Sequence, residues 1–310
     1  MQIPWHSIVP AGKVYLIMIS GYLFFHFVPR ARPFVPWILK ISINILLPLY
    51  FIYNLPAGWG DAISAGWQWL LLFFLIFLGM MSVQFLSGYF FVGRKWETLF
   101  LMAFHNAGYL PFPILAAFAP KALLVYMYFY FLAFNLVFWT VSVSYFGREK
   151  RRINMPVIGI IIGVAVAASG IYSRIPLFVE LPIRYGAEIA LPAVLFLAGS
   201  VLGTISLSDI RFRREYLLII LIKMIIYPAL FFVLFRFVHF SSFTPDLAAA
   251  AKTALILEAA VPPATNILLT AKAYGTESQV QYVGGAVFFT YILSFITVPL
   301  FLIASFLVFG

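Results

Sequence analysis

Cysteine is absent from the 310 residues, which excludes disulfides, thiolate metal sites and cysteine nucleophiles together and leaves the redox compartment unreadable. Charge is scarce as well: 10% of the residues are Asp, Glu, Lys or Arg, against roughly 25% in a soluble domain. Neither an HExxH nor a GxSxG context occurs. An intramembrane hydrolase, which needs a nucleophile with its base and orienter or a clustered metal site, is therefore disfavoured. Short segments alternating between apolar and polar are missing too, which excludes a transmembrane β-barrel. No basic n-region and no small-residue cleavage site precede the first apolar run, so that run reads as a retained span rather than a signal peptide.

What is present is apolar surface. Hydrophobic residues make up 64% of the chain and mean hydropathy is +1.03, more than a soluble fold can bury. A helix needs about 20 apolar residues to cross the bilayer, so 310 residues at about 30 per span and loop allow around ten crossings. Apolar runs between charged or Pro/Gly-rich breaks fall at 13–29, 34–54, 67–91, 98–119, 121–146, 156–173, 185–204, 215–239, 248–271 and 281–308. The expected fold class is an all-α membrane protein of ten transmembrane helices.

The formal charge of +10 is read as basic residues flanking cytoplasmic loops, not as a nucleic-acid site. Loops after odd-numbered spans hold 13 of the 20 Lys and Arg, those on the other side hold 6, and Lys223 lies inside span eight. Both termini are therefore expected outside. The one strongly polar linker, GREKRRIN at Gly147 to Asn154, is expected in the cytoplasm. It divides the chain into a first repeat at 1–146, a linker at 147–155 and a second repeat at 156–310. Pro48 answers Pro192, and FHNAGYLPFP in span four answers LEAAVPPATN in span nine. Five spans per half force the halves to be inverted, as in many secondary transporters.

Spans four and nine carry the chemistry. A proline deletes a backbone donor and clashes with the carbonyl four residues back, so Pro111 with Pro113 and Pro262 with Pro263 are expected to break their helices near mid-membrane. Freed backbone groups there must be buried in protein or line a hydrated cavity. Restarting half-helices aim positive ends at the midplane, which suits an anion. His105 and Glu258 lie roughly 10 and 14 Å into their spans at about 1.5 Å per residue, approaching from opposite faces. An ionisable group at that depth costs at least about 2.5–3.5 kcal/mol and usually lines a functional path. Glu258 could instead be a structural partner of Lys252 or Lys223, and His105 could simply bond a freed carbonyl. Asn106, Thr265 and Asn266 offer neutral donors and acceptors beside the breaks. Gln84, Asn44, Asn135 and Lys223 read first as interhelical contacts and second as ligands.

The opening GKVYLIMISGYLFFHFVPRARPFVPWILKISINILLPLYFIYNL, the span-four HNAGYLPFPIL, FNLVFWTVSV, IKMIIYPALFF and the closing LEAAVPPATNILLTAKAYG with FFTYILSFITVPLF resemble the auxin efflux carrier family. The resemblance implies two inverted five-helix repeats with helices four and nine broken and crossing, a fold shared with bile acid:sodium symporters. It implies substrate contact at Asn106, Gly108, Pro111, Pro113, Pro262, Pro263, Thr265 and Asn266, and a homodimer through a scaffold of spans one, two, six and seven. Spans three to five and eight to ten would form the moving part. The chain lacks the long cytosolic loop of many plant members, and span nine reads Pro-Pro-Ala-Thr-Asn where those have Asn-Pro-Asn. It is more similar to bacterial members associated with small carboxylates such as malate or malonate. The expectation is an elevator-like transporter of a small organic anion in a plasma membrane, a bacterial inner membrane, and not an enzyme; a sodium-coupled symporter or sodium/proton antiporter of the same fold is the first alternative, and a transporter-like receptor or structural module the second. No cofactor is expected beyond a coupling ion at Glu258 and His105. That ion is either sodium, beside Glu258 and carbonyls released around Pro262, or a proton.

Overall fold

The structure is a computed structural model that describes residues 5–146, 155–203 and 212–310. The linker at Gly147 to Asn154 lies outside the described residues. Those residues are helical without a named strand. In chain order the helices are α1 (Trp5–Phe27), α2 (Val35–Ile41), α3 (Leu47–Gly66), α4 (Gln68–Ser87), α5 (Trp96–Ala103), α6 (Pro111–Leu115) and α7 (Lys121–Phe146). Beyond the linker come α8 (Met155–Ser169), α9 (Leu177–Gly203), α10 (Arg214–Ile219), α11 (Tyr227–Phe235), α12 (Pro245–Ala260), α13 (Thr265–Tyr274) and α14 (Glu277–Phe309).

Six continuous stretches among the described residues are long and apolar enough to cross a membrane: Pro29–Gly66, Gln68–Val92, Lys121–Phe138, Leu177–Gly203, Arg214–Phe235 and Glu277–Phe309. Gly12–Phe27 and Met155–Ser169 are shorter apolar helices. The chain is a multi-pass membrane protein. Its outward surface agrees with a lipid environment: Phe90, Phe91 and Phe178 are 70%, 69% and 76% exposed, a disposition that water would penalise.

Several prolines expected to end helices do not. The second span runs on to Gly66, past Pro56, and the seventh begins at Leu177, before Pro182. A wider turn absorbs Pro48 and Pro228. Each follows a π-helical turn, Ser42–Leu46 and Ile220–Ile226, which moves the carbonyl that the ring would strike.

Glycines let two helix pairs approach to backbone contact. A methyl group on Gly199 would collide with the Met18 carbonyl, and one on Gly203 with Tyr22, so α9 lies directly on α1. Gly159 and Gly163 bring α8 onto Pro48 and Phe51 of α3 in the same way. This is the four-residue spacing of small residues that favours close packing in lipid, where burial supplies little drive between helices. A second packed group joins α4 to α7, α11 to α12 and α12 to α14.

Both broken spans open where proline chemistry dictates. Helix α5 stops at Ala103 and Phe104 is extended; α12 stops at Ala260 and Val261 is extended. Pro111 and Pro113 cannot bond back to residues 107 and 109, so helix can restart only at them, and the opening falls at residues 104–110 instead of around the prolines themselves.

Candidate functional site

The two openings meet. The Asn106 N–H donates to the Pro262 carbonyl at 2.9 Å, and the Ala264 N–H donates to the Phe104 carbonyl at 2.9 Å. His105 and Pro263 thus form an isolated antiparallel bridge. Each interrupted helix supplies partners for the other, which meets the requirement that non-helical backbone at membrane depth be satisfied inside the protein. The His105 carbonyl accepts from Ala107 N at 2.8 Å.

Polar side chains gather on one side of this crossing. Asn106 Oδ1 accepts from Tyr109 N at 3.1 Å, and Asn106 Nδ2 donates to the Tyr291 hydroxyl at 2.6 Å. That hydroxyl also faces Thr265. Asn266 faces Tyr109, and its Oδ1 is buried without a hydrogen-bond partner. Asn106, Ala107, Gly108, Tyr109, Phe131, Phe134, Ala264 and Asn266 line one cleft. It is closed to water in this conformation. Gly108 lies against the Phe131 ring, where any larger residue would collide.

On the other side, His105 and Glu258 are fully buried with Nε2 and Oε2 3.5 Å apart. The Tyr130 hydroxyl lies 2.7 Å from His105 Nε2 and donates to Met80 Sδ at 3.4 Å. His105 Nδ1 and both Glu258 oxygens have no hydrogen-bond partner. Neither lysine considered as a partner of Glu258 takes that role. Lys252 sits over the Phe309 ring, 5.2 Å from its centroid. Fully buried Lys223 donates to Gln84 Oε1 at 2.9 Å and to the Met102 carbonyl at 2.5 Å.

The remaining candidates disperse. Asn135 donates to the Phe131 carbonyl of its own helix at 2.8 Å. Asn44 is half-buried in the π turn ahead of α3 and joins none of the contacts at the crossing. Pro113 is half-buried within α6, which has only five residues, so the half-helix with a developed dipole is the ten-residue α13.

Of the carbonyls freed at the two breaks, those of Pro262, Phe104 and His105 accept from Asn106, Ala264 and Ala107. The Glu258 carboxylate, beside which a coupling ion is expected, lies 3.5 Å from the His105 imidazole.

Sequence reasoning missed the tyrosines. Tyr109, Tyr130 and Tyr291 contact the site, and Tyr227 donates to the Met80 carbonyl beside it at 2.7 Å. The available signal was the run YMYFY in α7, because a buried tyrosine hydroxyl almost always has a polar partner.

Residues 149–302 match the family described as membrane transport protein. No curated protein matches the chain.

Proposed function

We propose, from the premise that this chain belongs to the membrane transport protein family of the auxin efflux carriers, that it is a secondary transporter moving a small organic anion, a carboxylate, across the membrane. That family is one of transport and not of enzymes. The observation that carries the reading is the mutual hydrogen bonding of two interrupted helices at 104–106 and 262–264. Interrupted helices meeting inside the bilayer are how many secondary transporters build a binding site. Asn106, Thr265 and Asn266, with the N-terminus of α13, would hold the carboxylate on the side of the closed cleft.

In this reading the chain crosses the membrane ten times as two inverted five-helix repeats. Six long helices, two shorter ones and the two broken ones support that number. Spans one, two, six and seven form a scaffold, supported by the α1–α9 and α3–α8 contacts. The other spans move against it as an elevator, opening the cleft to either side. The resemblance to the family suggests pairing of two scaffolds as a homodimer, which native mass spectrometry in detergent would read.

Labelled malate or malonate uptake into proteoliposomes tests the function. Neutral and cationic analogues are expected to move poorly. Asn106→Ala and Asn266→Ala are each expected to weaken apparent affinity by up to about tenfold, the loss of one hydrogen bond to a charged ligand. Binding without flux would favour a membrane receptor instead. Equal flux of neutral analogues would remove charge selection by the half-helix.

Orientation follows from the 13 against 6 basic residues. A reporter fused after Arg152 is expected to read as cytoplasmic, with both termini outside in the plasma membrane. Labelling of that reporter from the outer face would reverse the orientation.

A further inference from the structure

We propose that the particle coupled to transport is a proton held at the His105–Glu258 pair, and that Lys223, not a sodium ion, supplies the fixed cation of the site. This rests on the transport reading above and adds the identity of its coupling ion. In transporters with interrupted helices, sodium is coordinated by unwound carbonyls and by the C-terminal ends of half-helices. Here several of those carbonyls already accept from within the chain. The Phe104, His105 and Pro262 carbonyls accept from Ala264, Ala107 and Asn106. At the end of α5, the Met102 carbonyl accepts from Lys223 Nζ, and Gln84 fixes the same ammonium. At the end of α12, the Leu257 carbonyl accepts from Val261 N.

The carboxylate is left with a different kind of neighbour. Glu258 Oε2 lies 3.5 Å from an imidazole nitrogen, and neither carboxylate oxygen has a hydrogen-bond partner. Tyr130 sets the imidazole. Because its hydroxyl donates to Met80 Sδ, its oxygen is available to accept from His105 Nε2–H at 2.7 Å. That proton position also faces Glu258. The other titratable groups around the pair are Lys223 from the π turn before α11, Tyr227 from α11, and Tyr109 and Tyr291 on the far side of the crossing. Glu258 is the sole carboxylate among them.

The charge balance gives the direction of coupling. With a proton on Glu258 and a neutral imidazole, the site carries the single positive charge of Lys223, which favours an anion. When the proton leaves to water, the carboxylate accepts from His105 Nε2–H and cancels Lys223, and the anion loses that attraction. One proton taken up on one face and released on the other thus accompanies each anion. Affinity rises as pH falls, by up to about tenfold per pH unit for one linked proton.

Two sets of measurements separate this from the transport reading. In proteoliposomes, malate uptake is expected to be unchanged when potassium or choline replaces sodium, to fall with rising external pH, and to acidify a pH dye trapped inside. Glu258→Gln is expected to flatten the pH dependence, and Tyr130→Phe to displace its midpoint. In detergent, without any flux, the purified protein is expected to show no saturable binding of radioactive sodium. It is also expected to show an infrared protonated-carboxyl band that titrates and is missing from Glu258→Gln. Should that variant fail to fold, His105→Gln replaces it, with the band's titration displaced. Saturable sodium binding, sodium-dependent uptake or the absence of the band would each overturn the proton assignment. If the detergent results hold while no carboxylate moves, the transport reading fails and the proton site stands.

Discussion

Lys223→Met is expected to lower the melting temperature in detergent by on the order of 10 °C and to remove most uptake. The methionine fills much of the same space but donates nothing, so Gln84 Oε1 and the Met102 carbonyl lose the Lys223 donor. A buried polar atom left unpaired costs about 1–3 kcal/mol, and two such atoms account for a shift of that size. Removing the charge also relieves its burial, which works in the opposite direction. Broken networks of this kind usually lose more than they gain, because the partners remain. The double variant Lys223→Met with Gln84→Leu separates the two effects. It takes away one orphaned acceptor and is expected to recover about 1 kcal/mol relative to the single variant, a coupling that only neighbours in one network show. Additive losses would mean that the Lys223–Gln84 contact contributes nothing. Full stability of Lys223→Met would mean that the ammonium is not what holds the end of α5.

Ala264→Pro is expected to reduce uptake at least about tenfold while leaving the protein folded. Ala264 already has φ −62° and ψ 130°, which a proline ring accepts without strain. The change therefore deletes the N–H that donates to the Phe104 carbonyl at 2.9 Å and sets the ring carbon that replaces it against that carbonyl. That carbonyl is then stranded inside the bilayer, where an unsatisfied backbone group costs several kcal/mol. The crossing is left with the Asn106–Pro262 bond as its cross-chain tie. Asn106, Thr265 and Asn266 would then no longer be held in one geometry. Ala264→Ser retains the N–H and is the control, with uptake near that of the parent. If the proline variant transported as well as the serine variant, the backbone bonds of the crossing would be dispensable to the site.

Much of the membrane architecture was legible because it depends on local composition. Long apolar runs interrupted by Pro, Gly and charge mark helices wherever the solvent is hydrocarbon. Double prolines interrupt a helix through a missing donor and a steric clash, whatever surrounds them. Expectations about helix ends were weaker at Pro56 and Pro182, which remain inside α3 and α9. Whether a proline ends a helix or is absorbed depends on neighbouring packing and on π turns, and single-chain patterning carries neither. The small-residue spacings at Gly159 with Gly163 and Gly199 with Gly203 were written in the sequence. Only the approach of α3 and α1 gives them their purpose.

Composition and proline placement already imply that this protein lives in a membrane, that spans four and nine are broken, and that His105 and Glu258 are the costly groups near the breaks. Which of those groups face one another follows only from how the helices pack. That packing joined residues 104–106 to 262–264 through backbone bonds and turned Lys223 toward Gln84 and Met102. It also set Tyr130 against His105. Hydropathy and helix breaking are properties of short segments and can be read one window at a time. A contact between residues 153 positions apart, such as His105 and Glu258, depends on how every intervening helix packs. The same packing gave the Phe104 and Pro262 carbonyls their donors.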